Sequence, residues 1–555
     1  MKNTYILMLA IVSMIIVSCD KTLDLVPIDT ISDSTFWKVP SDFEKAANRF
    51  YGGLNNTSNG GKDQDSDIAV GSVSNTTSNG TTIPSQSSNT WNNAYATIRG
   101  TFRLTENYEK AEDIQSDIAR YAAEARFFRA RAYFSLVSTF GDVPLIKRVL
   151  DIDSEELDAP RSPRSEVVAF IFEDLDWAIN NLPLEKELVA SEKGRVTKGA
   201  ALALKSRVGL FEGTWSKYHG GEGANDYFSK SIDASQQLIE LDEYALYEHP
   251  DGPNASYYNL FIEGGDGSSE SILARRYNYD LNISHNTTRW VDTHHNSPTK
   301  KLADMYVCTD GLPIDKSPLF QGYALRNSEF QNRDPRMGQT MIEPGTKHLW
   351  DEEPREWDVS IGSGSNGPTK SGYLALKFLS GAHLPAQGQC FYSYMEFRFG
   401  EVLLNQAEAL FEKNAAISDS ELDETINKLR ARVGLPKLTN SFVSNNGLNM
   451  LTEIRRERTV ELAYEGFRYY DLRRWKTAEI ELPVALKGVK FVGTEYEIVP
   501  PNDQIVVGVD IQVDENGFVI ADDLSNRSFS QKLYLYPLPL DQIQLNPNLI
   551  QNPGW

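Results

Sequence analysis

"RRERTVELAYEGFRYYDLRRW", Arg455 to Trp475, places six arginines and five aromatic residues within twenty-one positions. Basic residues interleaved with rings are what single-stranded nucleic-acid binders use, cations tracking phosphates while rings stack on bases. Helical geometry argues against that use. Val460, Ala463, Phe467 and Tyr470 fall on one face, while Arg458, Glu461, Glu465 and Arg468 alternate in sign along another. From Glu453 to Lys476 seven basic residues stand against five acidic ones. Such near-cancellation is that of a salt-bridged helix surface, which contributes modestly to stability where exposed. The stretch is expected to brace a helical scaffold from within.

The rest of the chain agrees. It has 555 residues and a formal net charge of -22, so its surface as a whole repels polyanions and nucleic acid is not expected as a partner. Helical spacing recurs in "IARYAAEARFFRARAYFSLVSTFGDVP", where Ile118, Ala122, Ala125, Phe128, Ala132 and Leu136 recur every three or four residues before Gly141 and Pro144. Its alanines let a neighbouring helix approach closely. Further helices are expected over Ser165 to Leu182, Thr197 to Phe211, Asp226 to Leu241, Arg398 to Lys413, Ser420 to Val433 and Thr452 to Glu465. Ala-rich helix pairs with short connections resemble tetratricopeptide units, though no clean 34-residue period is present. Residues 55–89, rich in Ser, Thr, Asn and Gly, and residues 249–388 carry a different composition with short strand-like runs such as "YLALKF"; the tail "KLYLYPLPL" is also strand-like. Long loops in a compact chain are commonly functional.

At the N-terminus, Lys2 precedes an apolar run from Ile6 to Val17 and then "SC" at Ser18 and Cys19. The run is too short to span a bilayer, which takes about 20 apolar residues, and reads as a signal-peptide core. With Ile16 and Ser18 before the cysteine it resembles a bacterial lipobox, so Cys19 is the expected lipid attachment point. Acyl chains contribute about 0.8 kcal/mol per buried methylene, enough in combination for stable anchoring. Cys308 and Cys390 are the other cysteines, too few for a disulfide scaffold.

Three motifs fail on physical grounds. "GSGSNG", Gly362 to Gly367, has the letters of a dinucleotide fingerprint, but Pro368 and a strand-like run follow where a helix N-terminus is needed. "DQDSD" opens with the spacing of a calcium loop at Asp63, Asp65 and Asp67, yet Ile68 and Ser74 stand where Gly and Glu are required. His294 and His295 are adjacent and so do not share a helix face. No metal, cofactor or catalytic residue is assigned. With 77 acidic residues any carboxylate spacing occurs by chance, so an exported two-carboxylate glycoside hydrolase stays an alternative, as does uptake of peptides.

"EIRRERTVELAYEGFRYYDLRRW" resembles the most recognisable block of the SusD/RagB family of Bacteroidetes lipoproteins. "AEARFFRARAYFSLVSTFGDVPL", "MYVCTDGLPI", "NRDPRM", "SGYLALKF", "EFRFGEVLLNQAEALFE" and "YLYPLPLDQIQLNPNLIQNPGW" agree in order. The resemblance implies a mostly α fold: a tetratricopeptide-like helical-repeat scaffold of about four helix pairs with a loop-rich ligand-binding region packed on it. It divides the chain into a signal peptide (1–18), a lipidated tether (19–34) and one domain (35–555). The scaffold is mainly 91–245 and 396–476; the loop-rich region is mainly 55–90, 249–390 and 477–555. It further implies a non-catalytic, lipid-anchored protein of the outer membrane, exposed at the cell surface, that captures an oligosaccharide or polysaccharide for a SusC-like TonB-dependent transporter. Family sites lie in variable loops, where sugar C–H faces pack on rings and hydroxyls bond polar groups. By position the candidates are Asp65, Asp67, Trp91, Tyr277, Arg289, Trp290, Asp292 and Tyr394.

Overall fold

The computed structural model describes residues 36–73, 75–293, 296–346, 369–383, 389–500 and 502–555. Cys19 and its tether, His294, His295 and Gly362 to Gly367 lie outside them. The long helices are α1 (Pro40–Asn48), α2 (Asn89–Lys110), α3 (Gln115–Phe140), α4 (Arg164–Asn181), α5 (Lys198–His219), α6 (Ala224–Glu240) and α7 (Phe399–Asn414). They continue with α8 (Asp419–Glu424), α9 (Ile426–Arg432), α10 (Met450–Glu461) and α11 (Arg468–Arg474). Each packs on its neighbour: α2 on α3, α3 on α4, α4 on α5, α5 on α6, α6 on α7, and α7 on both α9 and α10. This is the expected stack of paired helices, closed at its C-terminal end by α7 against α9 and α10.

Local chemistry sets the ends. Ser88 accepts the Trp91 N–H and Thr197 the Ala200 N–H, capping α2 and α5. Gly141 and Gly220, at φ 77° and 80°, end α3 and α5 in conformations that disfavour a Cβ.

Two expected helices are broken. Ser420 to Val433 divides at Thr425, whose φ and ψ of -126° and -97° are not helical. The opening stretch is not one helix either: α10 ends at Glu461, and the left-handed residues Tyr464 and Gly466 turn the chain into α11. Nor is its charged face a surface. Arg458, Glu461, Glu465 and Arg468 are all buried, because the stretch lies between two hydrophobic cores. Ile454 and Leu462 belong to the scaffold core, with Phe127, Leu175, Leu202 and Leu404. Val460, Ala463 and Tyr464 belong to a second core beneath the loops, with Tyr257, Leu302, Tyr306, Tyr373 and Phe491.

Among the described residues three antiparallel strand pairs stitch the loops together: β1 (Ala69–Gly71) with β3 (Asn296–Pro298), β2 (Ser271–Arg275) with β4 (Tyr394–Arg398), and β5 (Leu486–Lys490) with β6 (Phe518–Asp522). In register, Val70 faces Ser297 and Arg275 faces Tyr394. The strand-like run "YLALKF" makes only a single bridge, Ala375 to Met341. Residues 249–346 instead hold short helices at Pro253–Asn259, Thr287–Asp292, Lys300–Met305 and Pro335–Thr340. The tail forms no strand: Pro537 and Pro539 lack the N–H a ladder needs. Tyr536 N instead donates to Thr139 O and Asn552 Nδ2 to Phe140 O, tying the tail to the end of α3.

Candidate ligand-binding site

The exposed face of the loop region is built around a tight hairpin. Asn278 and Ile283 exchange backbone hydrogen bonds of 2.9 and 3.0 Å, and Asn282 takes φ 52°, a left-handed turn position that asparagine tolerates. The hairpin raises Tyr279 and Leu281, 73% and 69% exposed, into solvent. His285 then exchanges backbone hydrogen bonds with Cys390, which brings Phe391 edge-on to Tyr279 at 4.9 Å between centroids. Behind this pair the His285 ring is held between Tyr277 (4.5 Å) and Tyr392 (4.6 Å). Its Nδ1 accepts the Thr287 N–H, so Nε2 carries the proton and donates to Tyr392 O at 3.0 Å. Exposed Asn278, Asn282 and Asn286 flank the rings. Flat apolar faces bordered by amide donors and acceptors suit sugars, which present C–H faces and hydroxyls together.

The expected site residues separate into two groups. Tyr277 is half-buried at this rim, against His285, and Trp290 is half-buried against the loop-region core. Burial raises the Tyr277 hydroxyl pKa, with Arg275 and Thr57 beside it pulling the other way. A Cβ on Gly61 would stand 3.5 Å from Trp290 Cη2, so the 57–65 loop rests on that ring. Arg289 shares Trp290's short helix and is half-buried; Asp292 ends that helix, and its side chain lies outside the described residues. Asp65 is half-buried, accepts Asn75 Nδ2 at 2.7 Å, and has its pKa raised by burial.

The remaining candidates are corrected. Trp91 is 4% exposed and packs on Tyr95 (5.0 Å) and Phe140 (5.4 Å) in the scaffold core, because its place in the first turn of α2 faces α3. Asp67 is buried in a bidentate pair with Arg468, both bonds 2.8 Å; burial opposes its charge, but the guanidinium outweighs that and its pKa lies below the usual carboxylate value. Tyr394 is 3% exposed and its hydroxyl donates to Glu465 O at 3.2 Å. The acidic "DQDSD" segment does not converge on a cation: Asp63 meets the Gly466 N–H, Asp65 meets Asn75 and Asp67 meets Arg468. Among the described residues no group of three His, Cys, Asp or Glu side chains is placed to hold a metal ion. Cys308 and Cys390 are buried free thiols.

Sequence reasoning missed Tyr279, Leu281 and Phe391. The one signal for Tyr279 and Leu281 is the turn-forming "NYDLN", which can lift apolar residues clear of the core; Phe391 has none. It also missed a cavity of about 1170 Å³ between the 36–56 segment, α2, α3, α5, β4 and the α10–α11 turn.

Residues 265–555 match the family model described as "SusD family", and residues 35–210 match one described as "Starch-binding associating with outer membrane". The chain belongs to the SusD family. SusD-like protein P38 of Formosa agariphila is 25% identical over 520 residues, 87% of this chain and 93% of that one. A SusD-like protein of Bacteroides fragilis has a TM-score of 0.75 at 26% identity, covering 96% of this chain and 100% of its own. A second B. fragilis structure, described as a SusD-like carbohydrate binding protein, has the same TM-score at 22% identity, with 93% and 100% covered. Among the described residues of this SusD-family chain, no helix is long and apolar enough to cross a membrane.

Proposed function

We propose that this SusD-family protein captures glycan at the cell surface, held there by acyl chains on Cys19, and passes it to a SusC-like TonB-dependent barrel without catalysing a reaction. The carrying observation is the Tyr279–Phe391 pair, an exposed ring meeting a half-buried one edge-on at the loop-rich face with amides around them. Large exposed apolar groups in a cluster are uncommon on a soluble surface unless something binds there. The carbohydrate binding described for one structural relative and the outer-membrane association in a family description support the same reading.

The test is titration calorimetry against a panel of neutral and charged oligosaccharides. Tyr279→Ala and Phe391→Ala are each expected to weaken the bound glycan about tenfold, the equivalent of roughly 1.4 kcal/mol. Unchanged affinity in both variants removes the rim from the site. Repeated release of reducing ends during incubation overturns the non-catalytic role, and binding of peptides alone overturns the glycan.

A further inference from the structure

The cavity of about 1170 Å³ borders the aromatic rim through Arg275, which lines it and stands 6.0 Å from the Tyr277 ring centroid, while Lys62 of the 57–65 loop lies in its wall. Pockets for small ligands are commonly ~300–1000 Å³, so this one has room for several sugar units. Its charge is lopsided. Nine basic residues line it against three acidic ones, in a chain whose formal charge is -22.

The three carboxylates are already committed. Glu396 accepts Arg131 Nε at 2.9 Å and the Asn55 N–H at 2.7 Å; Glu465 is held by Arg398 and Lys377, and Asp471 by Arg458 and Arg474. The deeper arginines of the wall are balanced by these acids and by Glu401 and Glu408. The mouth is different. Lys45, Arg49 and Lys62 are exposed there, and Arg275 directs Nη1 to the carbonyls of Gly52 (3.2 Å) and Leu54 (3.0 Å), leaving its charge unneutralised by those bonds. Between mouth and floor stand the half-buried rings of Phe134, Phe467 and Tyr470, with Lys62 Nζ 5.8 Å from the Tyr470 centroid.

Cations of one sign around a concave, low-dielectric wall concentrate the local field and draw in a ligand of opposite charge even when the whole molecule is acidic. Aromatic walls add a surface for ring C–H faces. A neutral glycan has no use for the excess charge. We propose that this cavity binds an anionic saccharide, its carboxylate or sulfate groups held by Lys45, Arg49, Lys62 and Arg275 and its rings laid on Phe134, Phe467 and Tyr470.

The full chain is titrated with three probes: a carboxylated oligogalacturonide, a sulfated carrageenan oligosaccharide and a neutral laminarin oligosaccharide. At least one charged probe is expected to bind at ~20 mM salt and to weaken markedly at ~300 mM, as exposed charge pairs do. The two charged arms tell which anion the cavity takes. Lys45→Gln and Lys62→Gln, both at exposed positions that leave folding intact, are each expected to lower that affinity about fivefold at low salt. Arg275→Gln is expected to do the same, with thermal unfolding as its control. Failure of both charged probes to bind overturns the proposal, as does charged binding indifferent to the lysine variants. Neutral binding lost in Tyr279→Ala, with neither charged probe bound, would leave the rim standing while this cavity fails.

Discussion

Asp63 shows how far burial can move one group. Its carboxylate is fully buried, Oδ2 meets the Gly466 N–H at a long 3.4 Å, and Oδ1 has no hydrogen-bond partner among the described residues. Burial pushes its pKa up to about 7, against the pull of the backbone amides of Gly466, Tyr464 and Arg468. The unfolded carboxyl ionises near its ordinary value of ~3.9, so between that pH and about 7 the folded state holds the extra proton. Stability from this group is therefore fully present below ~4, falls as pH rises to about 7, and is flat above. Asp63→Asn, which cannot ionise, is expected to be more stable than the parent at pH 8.5 by about 1–3 kcal/mol, with the gap closing toward pH 5. Urea unfolding at both values measures it. An equal difference at both pH values would mean that the carboxylate is not the cause.

At the scale of elements, the close approach of α5 and α6 rests on what α5 lacks. A Cβ on Gly209 would stand 2.7 Å from both Tyr227 O and Ser231 N, backbone atoms of α6, and one on Gly213 would meet the Phe228 ring at 2.5 Å. Ser206 and Ser235 exchange a 2.7 Å hydroxyl contact across the same seam. Gly209→Ala gains about 1 kcal/mol of helix propensity but must push the helices apart, typically a 1–3 kcal/mol cost. A net loss in chemical denaturation is expected, and a stabilised variant would show that the seam is looser than drawn. Such helices were legible in the sequence because a 3.6-residue apolar period and Gly or Ser punctuation are local signals. The breaks at Thr425 and Tyr464 were not, since both follow from which core each flanking residue enters. Tyr277 was singled out from the composition of its loop, whereas nothing local distinguishes the buried Trp91 from an exposed ring. Tyr279 and Phe391 meet only through pairing of His285 with Cys390, more than a hundred residues apart.

Across the whole molecule, the diagnostic stretch joins two cores through charge. Glu461 of α10 accepts Arg432 from α9 at 2.7 Å, Arg398 from β4 at 2.8 Å and Arg336 from the loop region at 2.9 Å, all buried. Glu465 takes Arg398 and Lys377, and Glu408 takes Arg474 and Trp475 Nε1. Burial opposes ionisation at each, but the surrounding cations outweigh it: the Glu461 pKa is driven far below the usual value, Glu465 is lowered, and Glu408 falls to about 2. A depressed carboxylate contributes stability that is complete above its unfolded pKa of ~4.3 and lost as pH falls through the folded value. Acid unfolding is therefore expected to develop between about pH 4 and 2. Because Glu461 is bonded from both sides, helix content and the near-ultraviolet signal of the aromatic loop core should be lost together. Glu461→Gln leaves three buried guanidiniums without their shared counter-charge and is expected to cost about 3–5 kcal/mol at pH 7, as broken buried pairs do. That deficit should shrink as pH falls below ~4.3, where the unfolded carboxyl is already protonated and folding must give up that proton to keep the Glu461 charge. Parallel denaturation curves at pH 7 and 3 for both proteins decide this, and a deficit that grows on acidification would place the stabilising charge elsewhere.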